Sequence, residues 1–309
     1  MVRLFNVTND GAKELELLTG QWYASSPFRL IASEISFATT EITKIVGTEV
    51  MEYAENVYKS PKEDIDDFSL VDAVRMPIAC LAIMRHSALT SISHEQTGRK
   101  VKMDDNERSP FEWQIDRDDR AMRERYYRAL DAMFGYLEDN QVEPWVNSSR
   151  KALLAESIVK DLTQFEAVYP IDGSYYVYYM LQPLVIERQK ALIAPFAGDK
   201  WAEIAAGTAS DDIMRLARRA AILSAVATAG TRWTLEVFPI EIARRFSPTY
   251  QGNRANRAAT IEEIDWYLGN LKREIDDALD HLAEELSGEK TAPKLIPDNC
   301  RMNKFFTTE

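Results

Sequence analysis

Along most of this chain, apolar residues recur at intervals of three and four, the spacing that lines them up on one side of a helix. The longest example is Ile261, Ile264, Leu268, Leu271, Ile275, Leu279, Leu282 and Leu286. It extends for about seven turns. Thr260 and Glu263 stand at its start as a capping box. Shorter examples are Leu30, Ile31, Ile35, Ala38, Ile42 and Ile45, and then Met122, Tyr126, Ala129, Met133 and Leu137. SLVDAVRMPIACLAIMRHSAL and DDIMRLARRAAILSAVATAG are apolar nearly all round and read as buried helices. Pro77 inside the first is predicted to kink it, because proline removes a backbone donor. Glycine and proline number 12 each, too few for the many turns of an all-β chain. The pattern predicts a mainly α fold.

The first long helix is expected from Pro27 to Ala54. Ser25 or Ser26 would be its N-cap and Pro27 its first residue, with a break at Gly47. The second half repeats this order of features. With Gly198 set against Gly47, Tyr179 meets Phe28, Leu181 meets Leu30, Ile186 meets Ile35, and Ile193 meets Ile42. Phe196 then meets Ile45, and Trp201 meets Val50. In both halves a short apolar piece, a polar loop, an apolar helix, an irregular stretch and a long helix follow. An internal duplication accounts for the parallel. It divides the chain into a first helical-bundle repeat, 1–148, with a loop at 90–115, and a second, 149–288, with a loop at 231–259. Residues 289–309 remain as an extended C-terminal arm.

HEQTGRKVKMDDNERSPFEWQIDRDD, His94–Asp119, is the most polar stretch and falls in the first of these loops. The spacing of Ile92, Val101 and Met103 around Gly98 allows a β-hairpin with its tip near QTGR. The net charge of −12 over 309 residues argues against general nucleic-acid binding, which depends on Lys and Arg. It is compatible with a wall past which DNA slides. Cys80 reads as a core residue, and two distant cysteines make no disulfide framework. MVRLFNVTND lacks the apolar region of a signal peptide. No apolar run reaches the roughly 18 residues of a membrane span.

Residues with a recognisable chemistry are few. His86, His94 and His281 form neither HExxH nor Glu-x-x-His pairs, since Ile83 and Ala278 stand three places before His86 and His281. Phosphate-loop, dinucleotide and nucleophile-elbow motifs are lacking. The acidic runs Glu63–Asp67, Asp104–Asp105 and Glu262–Glu263 are best read as loop or helix-start acids that favour the positive helix end. No catalytic set, metal site or cofactor is expected.

Basic residues gather in two loops: Arg99, Lys100 and Lys102 in the first, Arg254 and Arg257 in the second, the latter with Phe246 and Tyr250. Such tips are compatible with solvent exposure, with contact to a neighbouring subunit, or with DNA phosphates and bases. Tyr175, Tyr176, Tyr178 and Tyr179 crowd one helix start and suit either a packed junction or an intersubunit patch. Leu295, Ile296, Phe305 and Phe306 are too apolar for a solvated tail and fit an arm docked on its own body or on a neighbour.

This order of parts resembles the head-completion or head–tail adaptor (connector ring) proteins of tailed phages. It is similar in particular to a family of Bacteroidales phages and prophages that includes the crAss-like phages. The resemblance rests on TNDGAKEL (Thr8–Leu15), the FEWQ of Phe111, Glu112, Trp113 and Gln114, and Tyr136, Leu137, Glu138 and Trp145. LTQFEAVYPI (Leu162–Ile171) and FAGDKW (Phe196–Trp201) extend it to about Gly230. The resemblance implies a structural virion protein at the head–tail junction, assembled in the bacterial cytoplasm. It implies a closed homo-oligomeric ring of about twelve copies, docked under the portal protein and followed by tail or further ring proteins. Packaged DNA would pass through the channel without sequence-specific binding, and no membrane would be involved. By position, Arg99, Lys100, Lys102, Phe111 and Trp113 would lie in one contact loop, and Phe246, Tyr250, Arg254 and Arg257 in another. A tandem pair of units departs from the single-unit adaptor.

Two other readings are compatible with the sequence. One is a helical metal-dependent hydrolase with a scattered carboxylate site. The other is a helical regulatory or binding protein dimerising through residues 260–286.

Overall fold

The computed structural model describes residues 2–8, 10–60, 65–90, 92–95, 98–101, 111–232 and 260–288. The fold is mainly α. The first half runs through α1 (Asp10–Thr19), a 3-10 turn Phe28–Leu30, α2 (Ala32–Val46), α3 (Thr48–Lys59), α4 (Ile65–Thr90), strands β1 (Ile92–Glu95) and β2 (Gly98–Val101), and α5 (Glu112–Asp139). Three short helices follow: α6 (Glu143–Val146), α7 (Ser149–Glu156) and α8 (Leu162–Glu166). The second half holds α9 (Tyr175–Arg188), a π turn Gln189–Ile193, α10 (Ala194–Ala197), a 3-10 turn Gly198–Lys200, α11 (Trp201–Ala206), α12 (Asp211–Arg232) and α13 (Ile261–Ser287).

Both halves are organised around one apolar helix. In the first, α4 lies against α1, α2, α3 and α5; in the second, α12 lies against α9, α11 and α13. These central helices are buried on more than one side, which is why their sequences read as apolar runs. Pro77 lies inside α4, which continues through it as one helix. The leucine seam of α13 is spent within the chain: Leu271, Ala278 and Leu282 are buried, and α13 packs along α12.

The break expected at Gly47 and Gly198 is present in both halves. Gly47 has φ 98° and Gly198 has φ 54°, conformations that glycine adopts without the steric cost of a Cβ. The start of the first long helix differs from expectation. Pro27 precedes the 3-10 turn, and α2 begins only at Ala32.

Three expected pairs, Phe28 with Tyr179, Ile35 with Ile186 and Ile42 with Ile193, are buried on both sides. The other three differ: Leu30 is 52 % exposed against 1 % for Leu181, Ile45 is partly buried where Phe196 is exposed, and Val50 is buried where Trp201 is only partly so. The π turn adds one residue to α9's side of the comparison. Allowing for it, Phe28, Ile31, Ile35 and Thr39 match Tyr178, Leu181, Val185 and Gln189, and all eight are buried. Along the last helices Met122, Ala129 and Met133 match Leu271, Ala278 and Leu282, again all buried. The helix starts agree as well. Gln114 Oε1 accepts from the Phe111 amide at 2.9 Å, and Glu263 Oε2 accepts from the Thr260 amide at 2.8 Å.

The hairpin expected in the polar stretch is formed. Ile92 pairs with Val101 and Glu95 with Gly98, antiparallel. Among the described residues no helix is long and apolar enough to cross a membrane.

Candidate functional site

The junction of the two halves is where α5 meets the start of α9. Ser174 is the N-cap of α9, its Oγ accepting from the Val177 amide at 3.1 Å. Asp131 on α5 adds to this cap, its Oδ1 accepting from Ser174 Oγ at 2.8 Å and from the Tyr176 amide at 2.9 Å. A carboxylate here also faces the positive end of the helix. Burial nonetheless pushes the Asp131 carboxyl above its usual range; the Tyr176 amide and Ser174 hydroxyl offset only part of that.

One turn along α5, rings take over. Tyr127 lies 5.6 Å from Tyr176 and Phe134 5.1 Å from Tyr179, centroid to centroid. Trp145 closes the group against Phe134 and Tyr179. Glu138 sits at the edge of these rings. It accepts from Trp145 Nε1 at 2.7 Å, from Lys151 Nζ at 2.5 Å and from the Tyr179 hydroxyl. Burial raises the Glu138 carboxyl, but the hydrogen bonds from Lys151, Tyr179 and Trp145 outweigh it and hold it below its usual range. Tyr178 and Tyr179 are buried, and Tyr175 and Tyr176 pack against the same core. The tyrosine run therefore forms a packed junction.

An open cavity of about 690 Å³ lies between Tyr169, Leu223 and the outer side of α13 from Trp266 to Asp277. The Tyr169 and Tyr267 hydroxyls hydrogen-bond each other at 2.5 Å, and Glu274 pairs with Arg219 at 2.8 Å. Tyr169, Tyr267 and Glu274 are thus engaged, while Asp276 and Asp277 on its wall are exposed. Among the described residues no group of three or more His, Cys, Asp or Glu side chains is placed to hold a metal ion.

Exposed apolar side chains are scattered over the surface, and two groups of them stand near the starts of α5 and α13. At the start of α5, Phe111 is 70 % exposed and Trp113 56 %, with Ile115 close behind. At the start of α13, Ile261 and Trp266 are exposed too. Of the residues singled out in the sequence, Arg99 and Lys100 lie on β2, paired with His94 and Ser93 of β1. Lys102, Phe246, Tyr250, Arg254, Arg257, Leu295, Ile296, Phe305 and Phe306 lie outside the described residues. Sequence reading missed Asp131, whose partners stand far along the chain, and named Glu138 and Trp145 without the hydrogen bond between them. It also missed Trp266, though a tryptophan among the acids of a helix start was a visible signal.

Comparison with family models, with curated proteins and with solved structures finds no match.

Proposed function

We propose that this chain is a structural subunit of a ring, a head–tail connector that docks under a phage portal and extends the DNA channel toward the tail. The observation that carries this reading is the pair of exposed apolar helix starts, Phe111, Trp113 and Ile115 on α5 and Ile261 and Trp266 on α13. Each follows one of the long connections between the last two helices of its half. A protein that works by contact needs such anchors, since a few aromatic side chains carry most binding energy. The described buried carboxylates are spent on caps and hydrogen bonds, which fits structural work better than acid–base chemistry. The resemblance to connector proteins supplies the partners: further copies of the chain, the portal, and tail or further ring proteins.

The experiment is the mass of the purified protein in solution, alone and with a portal protein from the same genome. A ring that forms alone or on the portal supports the reading. A chain that stays monomeric and ignores the portal refutes it. The coiled-coil reading gains no support, because α13 buries its seam against α12.

A further inference from the structure

The contact between the two halves has two open ends. Helix α5 covers α9, but α13, which occupies the same place in the second half, covers no further long helix among the described residues. Helix α2, which occupies the place of α9, has no long helix over it in the place of α5 among the described residues. We infer that a second copy of this chain fills both places, with α13 of one copy lying over the 3-10 turn and the start of α2 of the next. The inference rests on the self-assembling part of the reading above and not on the portal.

The residue correspondence sets out which side chains would meet. On α5 the junction is made by Tyr127, Asp131 and Phe134. The burial match between α5 and α13 places Asp276, Asp280 and Ala283 at these positions, and all three are exposed. On α9 the junction is made by Tyr175, Tyr176 and Tyr179. The match corrected for the π turn places Ser25, Ser26 and Arg29 there. Ser25 and Arg29 are exposed and Ser26 is partly so. The chemistry of the two faces is complementary. Two aspartates on α13 face an arginine and two serine hydroxyls, where inside the chain an aspartate faces a serine hydroxyl and an amide. Leu30, next to Arg29, is exposed, so the same contact would cover apolar surface. Asp280 stands in the place of Asp131, so one acidic position would be used within and between copies.

The geometry is head to tail: each copy offers α13 at one end and α2 at the other. Such an interface is heterologous and continues around a ring or along a filament. It differs from a two-fold coiled-coil dimer, which would need the buried seam of α13.

The test is a charge exchange on the full chain, read by solution mass over a range of concentrations, alone and with the portal protein. The wild type is expected to form species larger than a dimer of the 35.3 kDa chain. Asp276→Arg with Asp280→Arg, and separately Arg29→Asp, should raise the concentration for half-assembly by about tenfold or more. The three substitutions together should restore most of the loss. All sit on exposed side chains, so an unchanged helical signal and melting temperature confirms that each variant folds. Assembly that survives both single exchanges, or a combined variant no better than either, overturns the inference. A chain that never exceeds a monomer, even with portal present, overturns both this interface and the connector reading. A ring on the portal that ignores the charge exchange overturns this interface alone. Assembly sensitive to the exchange but indifferent to the portal upholds the interface and the ring and overturns only the docking on the portal.

Discussion

Asp131 Oδ1 accepts from the Tyr176 amide at 2.9 Å, so the last helix of the first half caps the long helix that opens the second. The side chain does for α9 what an N-cap does locally, but from 45 positions away. Its carboxyl is raised by burial, which makes the ionised form a cost to the fold. Asp131→Asn keeps the accepting oxygen and removes the charge. It is expected to be neutral or mildly stabilising at pH 7, whereas Asp131→Ala should lose roughly 1–2 kcal/mol with the cap. The sign follows from linkage. A carboxyl whose folded pKa is raised destabilises the fold above that pKa and is neutral below its ordinary value of 3.8. The difference between wild type and Asp131→Asn should therefore fade as the pH drops toward 3.8. Urea melts at pH 7 and near pH 4 check this.

Glu138 should behave in the opposite sense. Its folded pKa is lowered from the ordinary 4.5, so its contribution is present above 4.5 and lost as pH falls through the folded pKa. Glu138→Gln should cost roughly 1–3 kcal/mol at pH 7 by leaving Lys151 without its partner. The gap should close at strongly acid pH, again by denaturant melts.

The helix breaks predict a matched pair of losses. Gly47→Ala forces a Cβ into φ 98° and against Glu49 Oε2 at 3.2 Å. Gly198→Ala forces φ 54° with open space around it. Both should lose about 1–3 kcal/mol, and the loss at Gly47 should be the larger. Thermal melts of the two variants decide it.

Phe111 and Trp113 are exposed on α5 and should matter to assembly far more than to folding. Phe111→Ser with Trp113→Ser is expected to shift stability by within about 0.5 kcal/mol. The same pair should weaken capture on the portal by about tenfold or more. Melting and portal pull-down on one preparation separate the two effects.

The helices were legible because their apolar positions are periodic and because caps such as Thr260–Glu263 are local. The glycine breaks were legible too, because a glycine that interrupts a helical pattern is a local signal. The residue register was less so. Leu30 sits in the periodic series yet is exposed, because it ends the 3-10 turn before α2 and is not on the helix itself, and periodicity likewise carries no trace of the π turn at Gln189–Ile193 that shifts the second half by one place. The roles of Asp131 and Glu138 were not legible at all. Each depends on a partner brought close only when α5 and α9 pack, and a lone acid on a helix looks like any solvated one. Asp276 and Asp280 were hidden likewise, becoming distinct only when α5 and α13 are set side by side.

The most direct test of the account is the solution mass of the full chain, alone and after mixing with the portal protein. The account predicts a closed oligomer of about a dozen copies, free or seated on the portal. A monomer that stays monomeric in both conditions would contradict it.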